Sequence, residues 1–317
     1  MTVDVKAWAD ALRTKDNSYI TAREFTANLP VMSLHAEGQL TDKLSTGGFQ
    51  INRSAWNALS LDTKVKVARE LGCRIDRTWL IRSIDSTVVA ILGSDYTIVD
   101  HSVVADAVAE CGVPCIEVFP SSPDLDEKIV YFRLVDEDMG YDLGDGKAGV
   151  LSVNVRNSEV GVSSIGADVG ICRFENGKPY YMWSKDRLSV DSCIRHYSKD
   201  PDEVVKVIRE ILSEAPEIAQ LHADMVMKMS KMVWMGWSET DLERYPKYVI
   251  ENVESTNPKS VADVYMAICY ALREVENAES RRRLERQAGA ILTGESGLPS
   301  KGKTKTVGAG LCPLCGK

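Results

Sequence analysis

The stretch VNVRNSEVGVSSIGADVGICRFENG, Val153–Gly177, decides the reading of the fold. Val153 and Val155 share one side of an extended chain. Further on, Ala167, Val169 and Ile171 share a side, and Asp168, Gly170 and Cys172 take the other. That alternation is the period of a half-buried strand. Asn176-Gly177 is a strong two-residue hairpin signal because both residues tolerate positive φ, and PYYMWS follows as the next strand. Between the two alternating runs stand Arg156, Asn157, Ser158 and Glu159. Four polar residues in a row interrupt a sheet, and Gly161 and Gly166 beside them suggest bulges or close backbone approach.

Upstream, TWLIRSID, TVVAILGSDYTIV, VPCIEVFP and EKIVYFRLV are further strand candidates, with a Ser/Asp turn between the first two. Asp100 reads as the N-cap of HSVVADAVAE. A helix is predicted from Ser54 to Leu71, stopped by Gly72. After Lys199 the period changes to that of helices. Pro201 takes a first helical position, Val204, Val205, Ile208, Ile211 and Leu212 form a stripe, and Pro216 is expected to kink or break the helix. Ser238 with Asp241, and Ser260 with Asp263, resemble capping boxes. Strands segregated from helices predict an α+β fold: a twisted antiparallel sheet over roughly 78–184, N-terminal helices and a C-terminal helical part. The expected division is an α+β core over 1–199, helices over 200–293 packed on it, and a flexible basic tail over 294–317.

The chain has 317 residues and a net charge of −8, distributed unevenly. Arg281–Lys317 holds eight basic and two acidic residues, leaving 30 basic and 44 acidic residues before it. An acidic body argues against broad non-specific DNA binding, and a basic end leaves room for a local contact. The N-terminus has no apolar core of signal-peptide length, and no apolar run reaches the ~18 residues that span a bilayer. Cytoplasmic location follows as the expectation, with the eight cysteines as reduced thiols.

Several groups are candidates for chemistry. Arg156 and Asn157, assisted by Ser158, suit a phosphate or a base edge. Glu159 suits Mg²⁺ or general-base work; equally, it pairs with Arg156 or Arg173 while Asn157-Ser158 makes a bend. Arg173, Lys178, Arg187 and Arg195 form a basic series among Tyr180, Tyr181 and Trp183, and His196 sits in the same basic, aromatic context. Aromatic rings stack bases while cations follow the backbone of a single strand. Asp136, Asp138, Asp142 and Asp145 lack the spacing of a Ca²⁺ loop and read as a solvated hairpin tip. Cys312 and Cys315, in CPLCGK, form half of a zinc site that needs further ligands, from Cys111 and Cys115 or from a second chain. The methionines and tryptophans of MVMKMSKMVWMGW suit either a buried helix or a partner surface. Phosphate loops, dinucleotide fingerprints, nucleophile elbows and zinc-protease motifs are all absent.

LIRSIDSTVVAILGSDYTIVDHSVVADAVAE, VRNSEVGVSSIGADVGICRFENG and SVADVYMAICYALREVENAESRRRLERQAGAIL together resemble domain-of-unknown-function family 932, a family of phages, prophages and conjugative plasmids. The resemblance covers roughly residues 20–293 and is most specific over 156–177, although Glu175 stands where the family commonly has cysteine and Val89 where it has arginine. It implies a mobile-element setting within a host cytoplasm. With the basic, aromatic series, it leads to the expectation of single-stranded nucleic-acid binding, including annealing. The alternatives are a metal-dependent enzyme on nucleic acid or nucleotides, built on Glu159, Asp168 and the acidic loop, and an adaptor that engages a host protein through the tail. A homo-oligomer is compatible with each.

Overall fold

A computed structural model of the chain describes residues 2–12, 15–45, 50–119, 129–161, 165–183, 201–237, 243–275, 277–291 and 300–301. Helix α1 (Val5–Asp10) begins at Asp4, whose carboxylate accepts from the Ala7 amide. Strand β1 (Asp16–Thr21) runs directly into α2 (Ala22–Ala27) through a capping box of Thr21 and Glu24. Then come α3 (Leu34–Leu44), α4 (Arg53–Asn57) and α5 (Leu61–Gly72). The single helix expected over Ser54–Leu71 is thus two. Ser60 is extended and its hydroxyl accepts from the Thr63 amide, which satisfies an N–H that the new helix end would otherwise orphan.

Strands β2 (Thr78–Ile84) and β3 (Thr87–Gly93) are joined by Asp85-Ser86, both at positive φ. Helix α6 (His101–Glu110) follows, then β4 (Cys115–Phe119), β5 (Val130–Asp142), β6 (Ala148–Asn157), β7 (Gly166–Glu175) and β8 (Lys178–Trp183). Asn176 and Gly177 turn at positive φ between β7 and β8, as their sequence predicts. The C-terminal part holds α7 (Pro201–Met229), β9 (Val233–Trp234), α8 (Lys247–Ser255), α9 (Val261–Leu272), α10 (Ala278–Gly289) and β10 (Ser300–Lys301). The Ser260–Asp263 capping box is formed; Ser238 and Asp241 lie outside the described residues.

The fold is α+β, and every pairing between these strands is antiparallel. The strands from 78 onward divide between two sheets. One is β1-β2-β3 and the other β4-β5-β6-β7-β8, with a further two-stranded pair, β9 and β10. β1 escapes sequence reading because DNSYIT carries no apolar alternation: five of its six residues are exposed. Most of the acidic stretch is not a loop either. Asp136–Asp142 continues β5, with a register irregularity between Asp136 and Gly140.

The five-stranded sheet has two unlike faces. Phe132, Leu134, Val153, Val155, Val169, Ile171 and Met182 share a core with α7 and α9. The opposite parity places Arg133, Asn154, Arg156, Asp168, Cys172, Tyr181 and Trp183 on the other face. Pro216 does not break α7, which continues through it. Loss of one amide bond and the ring clash cost about 3 kcal/mol. Burial of Ile208, Ile211, Ala215, Ile218, Ala219, Ala223 and Val226 along one stripe outweighs that cost. No described helix is long and apolar enough to cross a membrane.

Candidate functional site

The four polar residues that interrupt the sheet part company at the end of β6. Asn157, Ser158 and Glu159 turn toward the three-stranded sheet and α6. The Asn157 amide donates to the Val99 carbonyl at 3.0 Å and lies 3.1 Å from His101 Nδ1. The Ser158 carbonyl accepts from the Tyr96 hydroxyl at 3.2 Å. The Glu159 carboxylate accepts from Lys15 Nζ and from the His101 amide, with Arg82 Nη2 at 3.8 Å. Arg82 Nη1 also donates to the Glu159 carbonyl at 3.2 Å and Arg82 Nη2 to Asp100 at 2.8 Å. Asp100 therefore serves Arg82 and makes no side-chain cap for α6. From α3, Gln39 Nε2 donates to the Val160 carbonyl at 2.8 Å, and His35 Nε2 lies 3.1 Å from the same oxygen. Gly161 closes the segment at φ +75°, where a Cβ would stand 2.7 Å from Leu92 Cδ2.

This segment is a joint between the two sheets. Burial alone would raise the Glu159 carboxyl, but His101, Lys15 and Arg82 outweigh it and hold the group below its ordinary value. Its oxygens are already taken by cations and an amide, so Glu159 has the environment of a structural counter-ion rather than of a metal ligand.

Arg156 points the other way, to the polar face. Its Nη1 donates to Asp168 at 3.1 Å, and its guanidinium lies against Gly166, where a Cβ would meet Nη2 at 2.7 Å. Asp168 also accepts from Asn154 Nδ2 and from Arg282 Nε, each at 3.3 Å. Burial would raise the Asp168 carboxyl; Arg156, Arg282 and Arg286 together hold it below its ordinary value. Beside this pair lies a second carboxylate, Glu285 of α10. Its oxygens accept from Arg133 Nη1 and Nη2 at 3.3 and 3.0 Å, from Arg281 Nε at 3.0 Å and from Trp183 Nε1 at 2.9 Å. Tyr181 and Trp183 stack with ring centroids 5.5 Å apart and planes within 8°. The Arg133 guanidinium lies 4.3 Å from the Tyr181 centroid and that of Arg281 5.7 Å from it.

Among the described residues, Arg133, Arg156, Arg281 and Arg282 here pair with Glu117, Asp168 and Glu285, Arg286 lies near Asp168, and the charge of Glu137 reaches the same face at Cys172. Among the described residues, the donors Arg133 Nε, Arg282 Nη2 and the Tyr181 hydroxyl are buried without a hydrogen-bond partner, as is the acceptor Asn154 Oδ1. Arginines that keep unpaired donors suit an anion. Arg133 signals itself in the sequence as a lone charge in IVYFRLV, and Arg281 and Glu285 as an i,i+4 pair in RRRLERQ. Their convergence is visible only in the tertiary structure.

The remaining expected contacts are dispersed. Arg173 lies on the apolar side of β7, where it donates to Asp145 at 2.7 and 2.5 Å and to the Lys147 carbonyl. Tyr180 is buried edge-on against Tyr270, and burial pushes its hydroxyl up to about 12. Neither belongs to the arginine face, because β-strand parity turns both toward the core. Lys178 is exposed at the β7–β8 hairpin. Arg187, Arg195 and His196, and with them Cys312 and Cys315, lie outside the described residues.

Asp136, Asp142 and Asp145 accept from the backbone amides of Asp138, Gly144 and Lys147, so this acidic stretch caps its own turns. Burial raises the thiols of Cys111 and Cys115, the latter to about 12, which disfavours the thiolate that zinc requires. Among the described residues, no group of three or more His, Cys, Asp and Glu side chains is placed to hold a metal ion. Of the methionine-rich stretch, Val226 and Met229 enter the core and Met235 remains exposed. No family model, curated protein or solved structure matches this chain.

Proposed function

We propose that this chain binds single-stranded nucleic acid for a phage or plasmid, with strand annealing as the associated activity, and that the arginine face of the five-stranded sheet is its seat. The observation that carries the reading is the convergence of arginines, some with unpaired donors among the described residues, around a stacked Tyr181–Trp183 pair. Guanidinium groups take phosphate oxygens in bidentate fashion, and the two rings, themselves buried, hold the arginines in place rather than offer a face to bases. Glu285 already shows the geometry of such an acceptor, holding both Nη atoms of Arg133. A phosphate entering the face takes over Arg133 from this carboxylate. The acidic body supplies repulsion, so binding is expected to be strongest at low salt and to fall steeply as salt rises.

The mobile-element setting rests on the resemblance of residues 156–177, and a host-cytoplasm location goes with it. The reading as a metal-dependent enzyme gains no support from Glu159 and Asp168, since cations neutralise both. Zinc at Cys312 and Cys315 is proposed on the knuckle sequence alone, completed by ligands from elsewhere in the chain or from a second one. Elemental analysis of protein purified without chelator tests it: zinc lost in the Cys312→Ser, Cys315→Ser double variant supports the site, and zinc absent from the wild type removes it. An adaptor role for the tail rests on the same residues and on the basic charge beside them.

Anisotropy of labelled oligo-dT at about 50 mM salt tests the main reading. Binding is expected in the wild type and weakened by Arg156→Ala. Arg173→Ala, on the opposite side of the sheet, is expected to leave it unchanged. Absence of binding by the wild type at that salt removes the proposal.

A further inference from the structure

One edge of each main sheet is met by another segment of the chain. The outer edge of β3 is covered by the chain itself: the Val88 amide donates to the Val31 carbonyl at 2.9 Å and the Ser33 amide to the Val88 carbonyl at 2.8 Å. The outer edge of β4 is met by the N-terminal segment, with the Val3 amide donating to the Cys115 carbonyl at 2.7 Å. β1 is the opposite edge of the three-stranded sheet. Among the described residues, no backbone group of Asn17–Ile20 is paired outside the β1–β2 ladder. Its side chains are exposed as well, with Tyr19 at 63%, except for the half-buried Ile20.

A bare edge is a template for a further strand, and proteins usually blunt one with lysine, proline or a bulge. DNSYIT contains neither lysine nor proline, and its pairing with β2 runs without irregularity. Lys15, just before it, is drawn inward to Glu159, so its ammonium does not guard the edge. Asp16 is the strand's one charged residue.

We propose that the outer edge of β1 docks on the same edge of a second copy, the two strands pairing antiparallel so that two three-stranded sheets become one of six. The occupant follows from the self-complementarity of the strand. A two-fold axis normal to the sheet requires directly opposed residues to be of the same parity, because opposed side chains point to the same face. The axis therefore passes through a residue, and the fullest overlap of Asp16–Thr21 puts it at Ser18 or Tyr19. In the first register Asp16 faces Ile20, and in the second it faces Ala22; in neither does it meet its own copy. Like charges are kept apart, and the Tyr19 register brings two exposed rings together as a cross-strand pair. A ladder of six residues buries less than the roughly 1,200–2,000 Å² of a stable interface, so the association is weak and depends on concentration. It does not depend on the arginine face, and its failure would leave the nucleic-acid reading where it stands.

Sedimentation of the full-length chain from about 1 μM to about 1 mM, without nucleic acid, tests the proposal. A monomer–dimer equilibrium is expected in the wild type. Tyr19→Lys places two like charges at the axis and is expected to move the midpoint at least tenfold higher in concentration. Leu34→Lys, at a residue 85% exposed on α3, serves as the control and is expected to leave the midpoint unchanged. Hydrogen exchange adds a local readout: the outward-pointing amides among Asn17–Ile20, every second residue, become protected in the dimer and not in the Tyr19→Lys monomer. A monomer throughout the range overturns the proposal, as does a dimer that Tyr19→Lys leaves intact.

Discussion

Two buried carboxylates lie on one stretch of chain and have opposite surroundings. Glu159 sits in a joint where Lys15, Arg82 and the His101 amide use its oxygens, and where carbonyls of Ser158, Glu159 and Val160 are taken by side chains of the three-stranded sheet and α3. Asp168 belongs to a face where, among the described residues, Arg133, Arg156, Arg281 and Arg282 surround Asp168 and Glu285 beside the stacked Tyr181 and Trp183. Both carboxyls are held below their ordinary values by neighbouring cations, so depressed acidity does not distinguish them. Among the described residues, buried polar atoms without a partner occur in both, Arg82 Nε and Asn157 Oδ1 in the joint and Arg133 Nε and Arg282 Nη2 on the face. The difference is what each cluster joins: the joint ties β6 to the other sheet and to α6, while the face gathers arginines, the side chains that pair best with anions, beside stacked rings.

Glu159→Gln is expected to have the largest effect. It leaves Lys15 and Arg82 in the joint with less compensation, and loss of one partner from a buried ion pair costs about 3–5 kcal/mol. Denaturant unfolding is expected to show a loss of that order. A loss below about 1 kcal/mol would mean the joint does not hold the two sheets together.

Acid gives a milder form of the same test. The Glu159 carboxyl is lowered in the fold, so its contribution is present above its ordinary value of 4.5 and disappears as pH falls through the lower folded value. Asp168 behaves in the same direction from 3.8. Wild-type stability should therefore fall below about pH 4.5, and the Glu159→Gln variant should show a shallower fall over that range. Parallel pH profiles would contradict the assignment.

Arg156→Ala probes the other cluster. Asp168 keeps Arg282, so the loss of stability should be smaller than at Glu159. The effect on oligo-dT affinity should be tenfold or more, about 1.4 kcal/mol. A large loss of stability with unchanged binding would turn the arginine face into a second structural cluster. The smallest expected effect is that of Lys178→Ala. This exposed side chain should change stability by less than about 0.5 kcal/mol and, where it meets phosphate, lower the salt slope by about one.

How much of this was legible beforehand varies with the range of the interaction. The Asn176-Gly177 hairpin and the Ser260–Asp263 cap were readable because each is settled within a few residues. β1 was not, since DNSYIT has no apolar side to bury and is held by its ladder to β2. Of the kink or break expected at Pro216, the break does not occur: local propensity counts one lost amide bond, while the buried stripe of α7 is assembled from residues on both sides of it. For the candidate site, Arg156 was found as a charge within a strand. Its partners Asp168 and Arg282 come from a neighbouring strand and from α10.

The α+β class, the Asn176-Gly177 hairpin and the alternation of faces along β6 and β7 follow from the sequence, because a period of two is a property of the extended backbone. The sequence also carried the polar interruption at Arg156–Glu159. Only the tertiary structure decided what the interruption is for: Arg156 goes to the arginine face, while Asn157, Ser158 and Glu159 knit one sheet to the other. Charges pair through space at 3–4 Å, and the residues that meet Glu159 and Asp168 are brought there by the packing of α6, α10 and the two sheets.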